Sequence, residues 1–199
     1  MRIRVAVFAV ALLVRIAAIE ASRPAQLTFG DARDYVAAAE SLCSKGVYPE
    51  RGNLPFFRAP GLPFFIAAVT ACEPSRTRVI LYALAVCDAL TVLVIFLLAR
   101  SSLAAAAIAA FHPLFIAGVT DIRSEPLFML LLTLSILYLL RGQAERSGVA
   151  VALAALTRPS ALLCIPLFAL FARRRGIALV IAATLTLAPW VARNYLRFG

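Results

Sequence analysis

Residues 78–100, RVILYALAVCDALTVLVIFLLAR, run apolar between two arginines for a full membrane width, with Asp88 as the one charge inside. About 20 apolar residues cross the hydrocarbon as a helix, so this segment reads as a transmembrane span and the bilayer organises the fold. The same character extends through the chain. Of its 199 residues, 63% are hydrophobic and 15% charged, and the mean hydropathy is +0.92, well outside the range of water-soluble domains. This length has room for about six or seven spans with short loops and for no separate soluble domain. Any chemistry must be built from loop residues and helix ends lying against the bilayer.

Upstream of that span, MRIRVAVFAVALLVRIAAIEAS opens with two arginines and runs apolar. It reads as a first span, residues 1–21, whose start is cytoplasmic. Arg15 inside the apolar run, and the lack of a small-x-small cleavage site, speak against a removed signal peptide. Residues 22–77 then form the first extracytoplasmic loop. Within it DARDYVAAAESLCSKG, residues 31–46, predicts an amphipathic helix of about four turns closed at Gly46. Tyr35, Ala38, Ala39 and Leu42 share one face, which suits a helix lying on the membrane surface. Gly61 to Cys72 reaches only about 18 Å as a helix and belongs in the outer interface.

Downstream, SLAAAAIAAFHPLFIAGVT, residues 102–120, comes back out, and PLFMLLLTLSILYLL, residues 126–140, goes in again. The apolar pieces on either side of Thr157, Arg158 and Pro159 are each short for a span. A hairpin with Arg158 at its outer tip is preferred over one long helix, which would bury the charge in mid-membrane. GIALVIAATLTLAPW, residues 176–190, leads out once more. The remaining spans thus occupy residues 78–192, and residues 193–199 form an outer tail. The expected fold is an all-α polytopic membrane protein with about seven spans and interfacial helices in its first outer loop.

This topology places 11 of the 20 basic residues outside and 8 inside, with Arg15 within the first span. Outward positive charge opposes the usual insertion bias, so the outer arginines point to an anionic ligand or acidic partners. All basic residues but Lys45 are arginine, whose guanidinium pairs with phosphate through two parallel hydrogen bonds. The charges sit singly between apolar runs and form no stripe for nucleic acid. The four cysteines show no metal spacing. Cys87 and Cys164 lie in apolar runs as small core residues. Cys43 and Cys72 lie on the outer side, where an oxidising compartment would let them pair, but spacing alone points to free thiols. His112, the single histidine, reads as a packing residue, so there is no zinc or haem site. No cofactor is expected, and a divalent metal stays open. Asp88, an ionisable group midway along a span, is what a transporter would use as a proton or ion site. Arg15 supplies a neutralising partner, and a structural pair is the preferred reading.

Four landmarks follow one another along the chain: Asp31 and Tyr35 in GDARDY; Arg58 in FRAPGLPFF; Glu125 and Pro126 in SEPLF; and LTRP, with Arg158, paired with APWVARNYLRFG, with Pro189, Trp190, Arg193 and Asn194. In this order and spacing they resemble the polyprenyl-phosphate-sugar-dependent glycosyltransferases of the GT-C superfamily, in particular the protein-mannosyltransferase and aminoarabinose-transferase-like branch. Residues 1–199 would correspond to the N-terminal catalytic module of the longer members. The resemblance implies a GT-C-type helix bundle in the plasma or inner membrane. It implies transfer of a sugar, with inversion, from a polyprenyl-phosphate-linked donor to a lipid, glycan or protein acceptor on the extracytoplasmic face, with no nucleic-acid partner. It assigns the catalytic base to Asp31 and the donor phosphate to Arg58, Arg158 and Arg193. Asp34, Tyr35, Glu125 and Asn194 support the site, and no metal ligands are assigned.

Each residue has a plainer role beside this one. Asp31, with Asp34 three residues on, suits a helix cap. Glu125 suits a helix N-terminus. Arginines at span ends anchor at the interface, which is the reading kept for Arg123 and Arg197. Two other functions stay in view: a small transporter or flippase for lipid-linked headgroups using Asp88, and a truncated, inactive GT-C module.

Overall fold

The computed structural model describes residues 1–22, 30–49 and 58–198, and every regular element among them is a helix. The chain divides into two units. One holds Met1–Pro49 with Leu62–Leu130, and the other Glu50–Gly61 with Leu131–Gly199.

The first unit is built on α1 (Arg2–Ser22) and α4 (Thr77–Leu98). They run antiparallel: the Tyr82 hydroxyl donates to the Glu20 carboxylate at one end. Toward the other end Val7, Phe8 and Ala11 pack with Val92 and Phe96. After a turn in which Arg100 and Ser101 both take positive φ, α5 (Leu103–Ala110) follows α1 in parallel. Ser102 starts it by accepting from the Ala105 amide at 3.3 Å.

α5 reaches only partway along α1 before it stops, and the cause is Pro113. Proline disfavours helical backbone in the residue before it, and His112 is extended, with φ −65° and ψ 121°. Proline also has no N–H, so the Ala109 carbonyl loses its normal helical donor. The chain restarts as α6 (Pro113–Gly118). Residues 102–120, expected as one pass, are therefore two short helices with a break between them.

That break leaves carbonyls unbonded among apolar side chains, where each would cost a few kcal/mol. Arg15 answers it. Its fully buried guanidinium donates from Nη2 to the Ala109 carbonyl at 3.2 Å and from Nη1 to the Ala110 carbonyl. Nη1 also reaches the Ala11 carbonyl at 3.3 Å, and Nε donates to Asp88 Oδ2 at 2.7 Å. The preferred pairing of Arg15 with Asp88 is thus realised, and it carries a third element with it.

In the second unit α8 (Ala144–Thr157), α9 (Cys164–Ala172) and α10 (Gly176–Phe198) follow one another. Arg158 is extended, with φ −143° and ψ 116°, as Pro159 requires of its predecessor. A short 3-10 turn, Pro159–Leu163, leads into α9. α9 returns, so that Phe168 packs with Ala144, Val151 and Leu179. Arg175 then donates to the Gly142 carbonyl at 2.5 Å, closing the end from which α8 began. The hairpin with Arg158 at its tip is what forms. α10 afterwards lies against α8 at close range, since a Cβ on Gly148 would sit 2.3 Å from the Leu179 carbonyl and 3.1 Å from Ala182 Cβ. Ser147 Oγ ties α8 to α7 (Glu125–Leu140) by donating to the Ser135 carbonyl at 2.9 Å. α10 continues through Pro189 to Phe198, so the expected outer tail is a helical extension.

Three stretches are long and apolar enough to cross a membrane among the described residues: Arg2–Ser22, Thr77–Leu98 and Pro159–Phe198. Glu125–Leu140 is apolar but shorter. The third stretch is not one rod, because Arg173, at φ 51°, breaks it between α9 and α10. The expected count of about seven is not reached by length and composition, and the break at Pro113 divides a run expected as one pass.

Two stability outcomes follow from this packing. Arg15→Met strands a buried carboxylate and two carbonyls, and is expected to cost about 3–5 kcal/mol, read as a fall in the unfolding midpoint in detergent micelles. Pro113→Ala in that background restores an N–H for the Ala109 carbonyl and recovers part of the loss. Gly148→Ala forces α8 from α10 and is expected to cost about 1–3 kcal/mol by the same measurement.

Candidate functional site

The acidic half of the predicted site is carried by the first unit. α2 (Gly30–Lys45) is the amphipathic helix expected there, with Ala32, Tyr35, Ala38 and Ala39 buried and Leu42 half-buried. It ends at Gly46, whose φ of +65° few other residues adopt comfortably and whose amide donates to the Leu42 carbonyl at 3.0 Å. Asp31 lies exposed in the first turn, one residue inside the helix rather than ahead of it. An acid in a helix's first turn is favoured by the positive pole there. Asp34 is half-buried one turn later, beside the buried Tyr35. Glu125 opens α7 with Pro126 behind it, the position where a carboxylate is favoured. Just before it, Asp121 is buried and its Oδ1 accepts from the Ile122 amide at 2.7 Å. Sequence reasoning gave Asp121 no role, and its burial is not signalled by the flanking residues.

α2 is held by a bond that spacing did not favour. Cys43 and Cys72 form a disulfide, with their Cα atoms 5.4 Å apart and a sequence separation of 29. The turn after α3 (Gly61–Val69) makes this feasible. Ala71 and Cys72 both take left-handed backbone, at φ 50° and 62°, and the Cys72 amide donates back to the Ala67 carbonyl at 2.9 Å. The expectation of two free thiols is thereby corrected. Cys87, buried within α4, is free as expected, and so is Cys164, which is only half-buried.

The basic half of the site is carried by the second unit. Arg58 stands just before Ala59, the buried Pro60 and Gly61. Gly61 lies directly on the end of α8, where a Cβ would meet Thr157 Oγ1 at 2.6 Å and the Leu156 carbonyl at 2.8 Å. Only glycine permits that approach, and it brings the Arg58 segment onto the turn that presents Arg158. Thr157 prepares this turn by donating its hydroxyl to the Leu153 carbonyl at 2.9 Å. Arg158 still closes the helix through its own amide, which donates to Ala154 at 2.8 Å.

Arg193 joins the same pole from α10. With Gly148 set against Leu179 and Ala182, a parallel register brings Pro189 and Trp190 to the level of Thr157. Arg193 therefore extends roughly one turn farther. Its guanidinium lies over the Trp190 ring at 5.1 Å and the Phe198 ring at 5.4 Å, and Nη1 donates to Asn194 Oδ1 at 2.9 Å. Such stacking restricts a long side chain to few orientations. Arg158 thus follows the end of α8, Arg193 and Asn194 stand in the last turns of α10, and Arg58 lies three residues before the Gly61 contact with Thr157. Asp31, Asp34, Tyr35 and Glu125 belong to α2 and α7.

Three stretches long and apolar enough to cross a membrane among the described residues define a helical membrane protein. Residues 57–192 match the dolichyl-phosphate-mannose-protein mannosyltransferase family. The chain belongs to that family, and is a glycosyltransferase of the GT-C type. No curated protein and no solved structure matches it. The matched segment contains Arg58, Glu125 and Arg158, whereas Asp31, Asp34, Tyr35, Arg193 and Asn194 lie outside it.

Closure of the 29-position loop by Cys43–Cys72 is expected to stabilise the fold by about 3 kcal/mol. Replacing both cysteines with alanine should lower the unfolding midpoint accordingly. Alkylation followed by mass spectrometry should label Cys43 and Cys72 only after reduction.

Proposed function

We propose that the protein transfers a hexosyl or pentosyl group from a polyprenyl-phosphate-linked donor to a hydroxyl of an extracytoplasmic lipid, glycan or protein acceptor, with inversion at the anomeric carbon. Asp31 takes the proton as the acceptor oxygen attacks C1 of the sugar. The C1–O bond to phosphate breaks in the same step, and its electron pair leaves on the polyprenyl phosphate. Arg58, Arg158 and Arg193 stabilise the charge that develops there, which fixed guanidiniums do most effectively where water is partly excluded. Tyr35 and Asp34 set the surroundings of Asp31, Glu125 orients an arginine or the acceptor, and Asn194 holds Arg193.

The observation that supports this reading is the close approach of Gly61 to Thr157, which joins the segment that follows Arg58 to the residue before Arg158, in a chain of this family. A sugar phosphate needs a cationic seat. Placement of the first loop outside the cytoplasm is supported by Cys43–Cys72, since disulfides persist in oxidising compartments. In this topology the chain crosses the membrane about seven times, with broken helices supplying several passes.

Membranes containing the protein, supplied with labelled polyprenyl-phosphate sugar and an acceptor extract, should show transfer that Asp31→Asn abolishes while membrane insertion is unchanged. Arg58→Gln and Arg158→Gln are each expected to slow turnover by about 10²–10³. Wild-type turnover in Asp31→Asn would reject the assigned base. Movement of labelled donor across proteoliposomes with no sugar transferred would reject the reaction itself.

A further inference from the structure

The opposite end of the second unit carries a separate concentration of charge. The turn after α7 carries Arg141, the first turn of α8 carries Arg146, and the turn between α9 and α10 carries Arg173, Arg174 and Arg175, all exposed. The Arg175 bond to the Gly142 carbonyl joins the two turns. Glu145 is the only acid on either turn, so five arginines face one carboxylate. Arg175 is committed to that bond and Arg146 donates to Gln143 Oε1 at 3.3 Å. Arg173 and Arg174 are exposed, and Arg173 lines an adjoining groove.

An apolar groove begins where Arg173 stands. It has a volume of about 350 Å³ and is lined by Leu170, Ile177, Val180 and Ile181, with Arg173 at its mouth. Its floor is tight, since a Cβ on Gly176 would lie 2.4 Å from the Ala169 carbonyl. Its walls are open, with Leu170 77% and Ile177 75% exposed. Arg173 holds its place with φ 51° and ψ −116°, a conformation that glycine would adopt at less cost. A strained arginine is thus kept at the mouth of an apolar groove that runs down a membrane-length stretch.

We propose that this groove and the Arg173–Arg174 pair bind one anionic phospholipid from the leaflet at that end, phosphate on the guanidiniums and an acyl chain along α9 and α10. The chemistry selects this occupant. An amphiphile with a negative head matches a cationic mouth on an apolar channel, and guanidinium pairs with phosphate in bidentate fashion. A neutral helix from another protein would leave the arginines without counter-charge. The site lies at the far end of α8 and α10 from Arg58, Arg158 and Arg193, so it is independent of donor binding.

The test is native mass spectrometry of the full chain released from nanodiscs of phosphatidylcholine doped with phosphatidylglycerol. Wild-type protein should retain one phosphatidylglycerol per chain, favoured over phosphatidylcholine about tenfold. Arg173→Gly combined with Arg174→Gln should bring the two lipids to parity. Its unfolding midpoint should not fall, because glycine relieves the strained backbone, so loss of lipid cannot be ascribed to misfolding. Ile177→Trp fills the groove and should remove the retained lipid whatever its headgroup. Undiminished phosphatidylglycerol in the Arg173→Gly, Arg174→Gln variant would overturn the proposal. So would equal retention of both lipids by wild type, release of a lipid-free dimer, or a loss confined to Arg158→Gln.

Discussion

The first unit depends on one buried guanidinium. Arg15 would be costly in hydrocarbon if it stood alone, and so would Asp88 and the open end of α5. Placed together they satisfy one another: the carboxylate cancels the charge, and the planar fork of donors serves carbonyls from two helices. A lysine could neutralise Asp88, but its point charge lacks the geometry to reach three carbonyls at once. α1, α4 and α5 are thus joined by directed bonds where apolar packing alone gives little preference for one helix neighbour over another, since lipid tails are as apolar as leucine. The price of this arrangement is a helix interrupted in mid-run at Pro113.

The second unit uses a different device for the same problem. Close approach, made possible by Gly148 against Leu179 and by Gly61 against Leu156 and Thr157, replaces buried charge as the source of specificity. Missing Cβ atoms let backbones meet, and dispersion contacts accumulate over the interface. The consequence for function is positional. The Gly61 contact carries the Arg58 segment to the Arg158 turn, and the α8–α10 register brings Arg193 to the same pole. At the other pole the chain reverses through the arginines of residues 173–175. One helix pair therefore separates two cationic ends.

Much of this was legible in the residues. The extent of α4, the amphipathic face of α2 and its end at Gly46 follow from hydropathy, periodicity and a terminating glycine. The hairpin at Arg158 follows from the cost of a mid-membrane charge and the constraint Pro159 places on its neighbour. The Arg15–Asp88 pair was foreseen as a neutralisation. The family resemblance, drawn from four short landmarks, agrees with the family matched by residues 57–192. Less legible was Pro113. An apolar run of span length conceals a helix break when the orphaned carbonyls find their donor on a distant helix, as Ala109 and Ala110 do on Arg15. The disulfide was misread for a related reason: separation in sequence says nothing about two chain segments turned toward each other by left-handed residues at Ala71 and Cys72.

What the chain alone determined is membership of the membrane-embedded helical class, the family, and the identity of the charges that need explaining, because hydropathy and motif order are properties of the linear chain. Which charges meet was settled by tertiary structure. Arg15 became a structural bracket through contacts with residues 73 to 95 positions away, and Gly61 met the end of α8 because it carries no Cβ. Hydrogen bonds and close packing act over a few ångströms, and only folding brings such distant residues within that range.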